Sequence, residues 1–241
     1  MFARNVKRTG TNPVNQEIKA AIHGAYAANY DRQVRAYGCY LAEASFGLCY
    51  EFIQPGQNLL DLGIGSGLSA ALFARAGLRV HGMDFSPAML EICQAKGIAE
   101  ELKQHDIQQI PWPYLDKTFD HLVCCGVLHF IPELEGIFGE ASRVLEEGGL
   151  FVFTTKCPTS LDARQRNYDQ QTSDGLDVFA HSPEYLKALL EQAHFARWKV
   201  LRCFVGQDIF YIWTVQKRDK SVANGTKSKC APANLSRRPT P

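Results

Sequence analysis

Little in this sequence is in excess, and several things are missing. No stretch approaches roughly 18 consecutive apolar residues, so no segment reads as a membrane-spanning helix. Neither charge dominates: 26 Lys and Arg stand against 25 Asp and Glu, for a net charge of +1. That balance excludes bulk attraction to nucleic acid or to an anionic membrane as the main theme, so no membrane and no specific nucleic-acid partner are expected. None of the eight cysteines stands in a Cys-x-x-Cys pair, and no Cys/His group has zinc-ligand spacing, so no metal site is expected. Cys124 and Cys125 are adjacent in an apolar run, where a strand would send their side chains to opposite faces. The thiols therefore read as small hydrophobes of a reduced, cytoplasmic protein. The opening MFARNVKRTG carries Arg4, Lys7 and Arg8 but no apolar core behind them. It is not a secretory signal; residues 1–16 read as a solvated terminus, with a transit peptide as the alternative. Internal repeats are absent as well.

What is present is a chain of 241 residues, 46% hydrophobic and 21% charged, long enough to bury a full core without covalent staples. Short apolar runs alternate with helical stretches. Strands are expected at 58–62, 79–84, 102–105, 121–125 and 150–155, and a final antiparallel hairpin at 198–204 and 208–216. Helices are expected between them, one opened by Ser86-Pro87 and one by Ser182-Pro183, each an N-cap with proline at the first helical position. Residues 17–53 read as a helical cap, residues 156–180 as a long polar insert, and 17–218 as one domain. Residues 219–241 are small, polar and basic and read as a disordered tail. Strands alternating with helices indicate an α/β doubly wound, mostly parallel sheet.

The segment that carries chemistry is Asn58-Leu-Leu-Asp-Leu-Gly-Ile-Gly-Ser-Gly-Leu-Ser69. Its glycines at 63, 65 and 67 lie between an expected strand and an expected helix. A dinucleotide fingerprint would need its third glycine at position 68, which is Leu68. The second strand ends in Asp84, whose carboxylate has two oxygens to accept from the two hydroxyls of a ribose. The third ends in His105-Asp106. All these points fall at the carboxyl ends of adjacent strands, where open α/β sheets bind ligands.

In LLDLGIGSG (59–67), VHGMDFSPAML (80–90), HDIQQIPWP (105–113), KTFDHLVCCGVLHFI (117–131) and EASRVLEEGGLFVFTT (140–155), the chain resembles the class I S-adenosylmethionine-dependent methyltransferases. The resemblance covers about residues 26–217. It is similar to the ubiquinone/menaquinone-type branch, and Tyr30-Asp31 resembles a feature of the Williams–Beuren-region methyltransferase-like proteins. The resemblance implies a Rossmann-like methyltransferase fold with a seven-stranded sheet, S-adenosylmethionine as cofactor, and a small-molecule acceptor. It also implies roles for residues. Gly63, Gly65 and Gly67 would receive the methionine half, and Asp61 would shape the loop and its electrostatics. Asp84 would hold the ribose, with Phe85 on the adenine face and Asp106 and Ile107 at the base. Cys125 and Gly126 would line the sulfonium side, and Tyr30 would close over the cofactor.

His129, just past the fourth strand, is the candidate general base, since histidine titrates near neutrality. Tyr26, Tyr40 and Tyr168 are candidate acceptor contacts, and Arg164 and Arg166 could receive an acceptor carboxylate. No Asn-Pro-Pro-Tyr or Asp-Pro-Pro-Tyr run occurs, and no Pro-Cys at the end of the fourth strand. Amino methylation of adenine or glutamine and cytosine C5 chemistry are thereby disfavoured. The expected activity is in-line methyl transfer by a monomer or homodimer. A non-catalytic cofactor-binding or regulatory subunit is the alternative, and a nicotinamide oxidoreductase a third reading.

Overall fold

The structure, a computed structural model, describes residues 29–159, 166–173 and 176–219. Helices α1 (Tyr30–Ala36) and α2 (Leu41–Cys49) precede an alternating series. The series runs β1 (Asn58–Leu62), α3 (Leu68–Arg75), β2 (Arg79–Asp84), α4 (Pro87–Lys96), β3 (Glu101–Gln104) and β4 (Phe119–Cys124). A 3-10 turn (Leu128–Phe130), α5 (Glu135–Val144) and β5 (Leu145–Lys156) follow. Then come β6 (Tyr168–Ser173), β7 (Leu176–His181), α6 (Pro183–Gln192), β8 (Phe195–Val205) and β9 (Asp208–Lys217).

Seven strands form one sheet in the order β3-β2-β1-β4-β5-β9-β8. The first five are parallel, and β9 runs antiparallel between β5 and β8. The chain reverses direction across the sheet between β1 and β4, which opens a crevice at the carboxyl ends of those strands. The expected doubly wound sheet and its closing hairpin are both present.

The two-residue period of a strand explains the two cores. Leu60 on β1, Leu122 on β4, and Phe151 and Phe153 on β5 turn to the face covered by α5 and α6. Leu59, Val123 and Val152, one residue out of step, turn to the face covered by α2 and α3. Phe138 of α5 meets Phe153 edge-on at 5.1 Å, and Phe153 stacks on Trp213 at 6.0 Å. Burial of each such ring contributes about 1.5–3 kcal/mol. Ser86 and Ser182 cap α4 and α6, accepting from Met89 N and Tyr185 N, with proline at the first turn of each.

Two segments differ from the sequence expectation. The 156–180 insert is not simply polar coil: β6 and β7 pair as a second, two-stranded antiparallel sheet. Its polar strand β6 hides the period, and among the described residues of the two strands only Val178, Phe179, Ala180 and His181 are buried. Strand β5 begins at Leu145 rather than Leu150, because Phe119 pairs with Leu145 and His121 with Leu150, leaving the stretch between them as an irregularity. Of the cap, α1 and α2 lie within the described residues; positions 1–28 and 220–241 lie outside them.

Candidate cofactor and acceptor cavity

The loop between β1 and α3 is pinned to the neighbouring strand. Gly63 N and Ile64 N both donate to the Met83 carbonyl, at 2.8 and 3.1 Å. Asp84, the last residue of β2, is 7% exposed and organises two chain segments at once. Its Oδ2 accepts from Gly65 N at 2.9 Å and its Oδ1 from Ser86 N at 2.8 Å. His105 N donates to the Asp84 carbonyl at 2.9 Å, which brings the segment after β3 alongside. There Asp106 Oδ1 accepts from Gln108 N at 2.9 Å, and the Ile107 carbonyl accepts from the Trp112 indole at 2.9 Å. At the end of β4, Gly126 N donates to Thr154 Oγ1 at 2.8 Å.

These segments enclose a cavity of about 620 Å³. Gly63, Gly65, Gly67, Asp84, Phe85, Asp106, Ile107, Cys125, Gly126 and Tyr30 all contribute to its wall. The volume suits a ligand of cofactor size, since small-molecule sites run from about 300 to 1,000 Å³. A second part of the wall is apolar: Phe130, Ile131 and Pro132 after β4, with Leu176 and Phe179 from the hairpin. Asp177 also lines it, its Oδ1 accepting from Thr172 Oγ1 at 3.0 Å. Helices α1 and α2 and the link between them close the remaining side with Val34, Arg35, Cys39 and Leu41.

Burial sets the protonation states. The Tyr30 hydroxyl is pushed up to about 12 by burial, with Cys125, Cys39 and the carboxylates of Asp84 and Asp31 adding to the effect. It stays protonated at neutral pH and remains a donor. Burial also raises the Cys125 thiol to about 12, so it is no nucleophile at neutral pH. Burial works to raise Asp31, but hydrogen bonds from Lys96 and Ser66 outweigh it and hold the carboxyl below its ordinary range.

Four candidate residues, His129, Tyr40, Tyr168 and Arg166, lie off the cavity wall, and Asp61 lies under the loop it was expected to shape. Asp61 does not reach the cavity wall; it sits beneath the loop, 2% exposed, and accepts from Ala70 N. Burial, reinforced by the Asp84 carboxylate, pushes its carboxyl up to about 8. His129 is turned away by the 3-10 turn, which instead sends Val127, Phe130 and Ile131 to the cavity. Its ring packs at 4.0 Å from Phe130 and edge-on at 5.3 Å from Phe210, with a buried Nδ1 that finds no partner. Burial, Lys156 and His181 lower it to about 3, too weak a base for catalysis at neutral pH. Tyr40 is 67% exposed and off the cavity. Tyr168 lies behind Phe179, ring edge to ring face at 5.1 Å, and not in the wall. Arg166 is exposed outside the wall, and Tyr26 and Arg164 lie outside the described residues.

Other wall residues were not anticipated from sequence. Lys96, Leu176, Asp177 and Phe179 had no motif to mark them, and Ser66 and Phe130 lay within quoted motifs without a role assigned. The alternation in Leu176-Asp-Val-Phe-Ala-His181 was the one available signal for the hairpin.

Comparison with known proteins adds to this geometry. A family model described as a methyltransferase domain matches residues 60–153. Over that stretch the chain carries a methyltransferase domain, in the fold of the class I S-adenosylmethionine-dependent methyltransferases. A malonyl-[acyl-carrier protein] O-methyltransferase of Serratia marcescens is 28% identical over 153 residues, 64% of this chain and 58% of that protein. A demethylmenaquinone methyltransferase of Tropheryma whipplei is 30% identical over 156 residues, 57% of this chain and 63% of that protein. The match thus spans about six tenths of the length of these curated relatives. In fold, the chain is similar to 1,6-didemethyltoxoflavin-N1-methyltransferase of Burkholderia thailandensis, solved with S-adenosylhomocysteine. The TM-score is 0.64 at 20% identity, over 89% of this chain and 94% of that one.

The cofactor this domain implies is S-adenosylmethionine. The residues present fit it. A Cβ built on Gly65 would meet nothing nearer than the Gly63 carbonyl at 4.0 Å, so that backbone opens onto the cavity as a cradle. The carboxylate at Asp84 supplies the acceptor that a diol requires.

Proposed function

We propose that this methyltransferase-family protein moves a methyl group from S-adenosylmethionine to a small molecule with an apolar body. The observation that carries the reading is the composite cavity. One wall is the glycine loop locked to Asp84, and the other is the apolar surface of Phe130–Pro132 and the hairpin. In this reading Gly63, Gly65 and Gly67 receive the methionine half. Asp84 accepts from the ribose hydroxyls, and Phe85 packs on the adenine face. Asp106 and Ile107 meet the base, Cys125 and Gly126 border the sulfonium side, and Tyr30 covers the cofactor. Asp61 acts from below, through the loop it supports. The domain runs from 17 to 218, with its cap at 17–53 and its insert at 156–180.

Bound there, S-adenosylmethionine would supply both the electrophilic methyl group and its leaving group. The chain's contribution is alignment and exclusion of water. Fixing two reactants in one geometry lowers such barriers by about 7–11 kcal/mol in favourable cases. Tyr30, protonated and partly buried, orients rather than reacts. His129 has no part in proton removal, because it is turned from the cavity. The apolar wall selects an acceptor whose body loses little on leaving water.

A cytoplasmic location belongs to the same reading. It is supported by seven described cysteines that are all free thiols, and no described helix is long and apolar enough to cross a membrane. Isothermal titration with S-adenosylmethionine, S-adenosylhomocysteine and NAD tests the cofactor. Binding of NAD alone would overturn the reading. Incubation with labelled cofactor and a small-molecule extract then tests turnover. Cofactor binding without label transfer to any compound would favour a regulatory subunit over an enzyme.

A further inference from the structure

Helix α1 forms part of the cavity wall, yet none of its residues is fully buried. A short helix is ordinarily held by an apolar stripe packed on the core. Here a polar ring takes that place. Asp31 Oδ1 accepts from Ser66 Oγ at 2.5 Å, and Asp31 Oδ2 accepts from Lys96 Nζ at 2.5 Å. Lys96 Nζ also donates to the Ser66 carbonyl at 2.7 Å. Three elements are joined: α1, the glycine loop, and the last residue of α4. Lys96 suits that last position, because a cation there complements the unpaired carbonyls of the helix end. Ser66 is 1% exposed, while the Asp31 and Lys96 side chains keep about a third of their surface in water. The ring is therefore anchored at one corner in the core and open to solvent at the other two.

We propose that Asp31, Ser66 and Lys96 form a polar latch that positions α1, and with it Tyr30, against the cofactor-binding loop, so that the latch sets how long the cofactor stays. This rests on the cofactor reading above. Tyr30 immediately precedes Asp31, so the latch fixes its backbone within one residue. The loop end of the latch lies between Gly65 and Gly67, so the same contact steadies the floor that the cofactor sits on. Asp31, Ser66 and Lys96 are positioning residues here. Solvent access to the pair makes the hold sensitive to ionic strength.

The test is the dissociation rate of S-adenosylhomocysteine, read with amide hydrogen exchange over residues 30–36. Asp31→Asn and Lys96→Met are each expected to speed dissociation about fivefold, the upper range for a partly exposed pair, and to reduce protection of α1. Lys96→Gln serves where Lys96→Met folds poorly. The double variant should be no faster than either single one, because one interaction is removed only once. Raising salt to about 1 M should speed release from the wild type, where screening reaches within a few ångströms, and leave Asp31→Asn unchanged. Should the wild type bind the ligand and either readout stay unchanged in Asp31→Asn, the latch is overturned. Additive effects in the double variant overturn it too, since they would mean separate contacts. A wild type that binds no sulfur ligand defeats the cofactor reading instead. Exchange in α1 then judges the latch alone, reduced protection supporting it and unchanged protection overturning it.

Discussion

Two glycines of one loop, two residues apart, should fail in opposite ways when a methyl group is added. Both have left-handed backbones, Gly65 at φ +53 and Gly67 at φ +84, so either substitution to alanine strains the chain by about 1–2 kcal/mol. They differ in what the new carbon meets. At Gly65 it points into open cavity, nearest the Gly63 carbonyl at 4.0 Å. At Gly67 it would collide with Ile98 Cδ1 and meet Cys93 Sγ at 3.0 Å, both in the packed layer between α3 and α4. Overpacking of that kind costs about 1–3 kcal/mol on top of the strain. At about 2–4 °C per kcal/mol for a chain of this size, Gly65→Ala should melt a few degrees below wild type. Gly67→Ala should melt about 5–15 °C below it. Ligand affinity should reverse the order. Gly65→Val, whose branched side chain fills the cradle, should lose S-adenosylhomocysteine binding by tenfold or more while remaining folded. The assays are thermal melting and isothermal titration on the same preparations. Wild-type affinity in Gly65→Val would refute the placement of the cofactor over this loop. Equal melting temperatures for the two alanine variants would refute the packing argument.

Further outcomes follow from the same geometry. Asp84→Ala removes acceptors from Gly65 N and Ser86 N, so S-adenosylhomocysteine binding should weaken by about 1–3 kcal/mol with a concurrent loss of thermal stability; unchanged affinity would take Asp84 out of the site. His129→Gln should leave the kcat of methyl transfer within about twofold, because general base catalysis contributes 10²–10⁴-fold only where the base reaches the reacting proton; a larger drop would restore His129 as a base. The Asp61 carboxyl is raised from its ordinary value to about 8, so the folded state binds a proton that the unfolded state has lost between about pH 4 and 8. Stability of the ligand-free protein should therefore fall as pH rises through that window. Asp61→Asn should flatten this part of the melting profile, and an unchanged slope would show that Asp61 is charged at little cost. The lowered values of His121, His129 and His181 act at the other end, where protons taken up only by the unfolded chain should reduce stability as pH falls below about 6.5.

The parts of the molecule that sequence exposed are those where local chemistry and local structure coincide. Ser86-Pro87 and Ser182-Pro183 mark helix starts because a hydroxyl acceptor and a proline without an N–H both solve the same end problem. Gly63, Gly65 and Gly67 mark a turn that other residues enter only with strain, and Asp84 stands out because it ends the strand beside them. The hairpin of the insert escaped because β6 is polar on both faces, so no period betrays it.

The alternation of strands and helices, the parallel sheet, and the glycine loop with its carboxylate were legible along the chain, because hydrophobic period and turn chemistry act over a few neighbouring residues. Which side chains share the cavity was settled by packing in three dimensions. It turned His129 behind Phe130 and set Tyr168 behind Phe179. It also put Asp61 under the floor and drew Asp31 of one helix to Lys96 of another. Those outcomes depend on a side chain's direction about its backbone and on partners dozens of residues away, and short-range pattern carries neither.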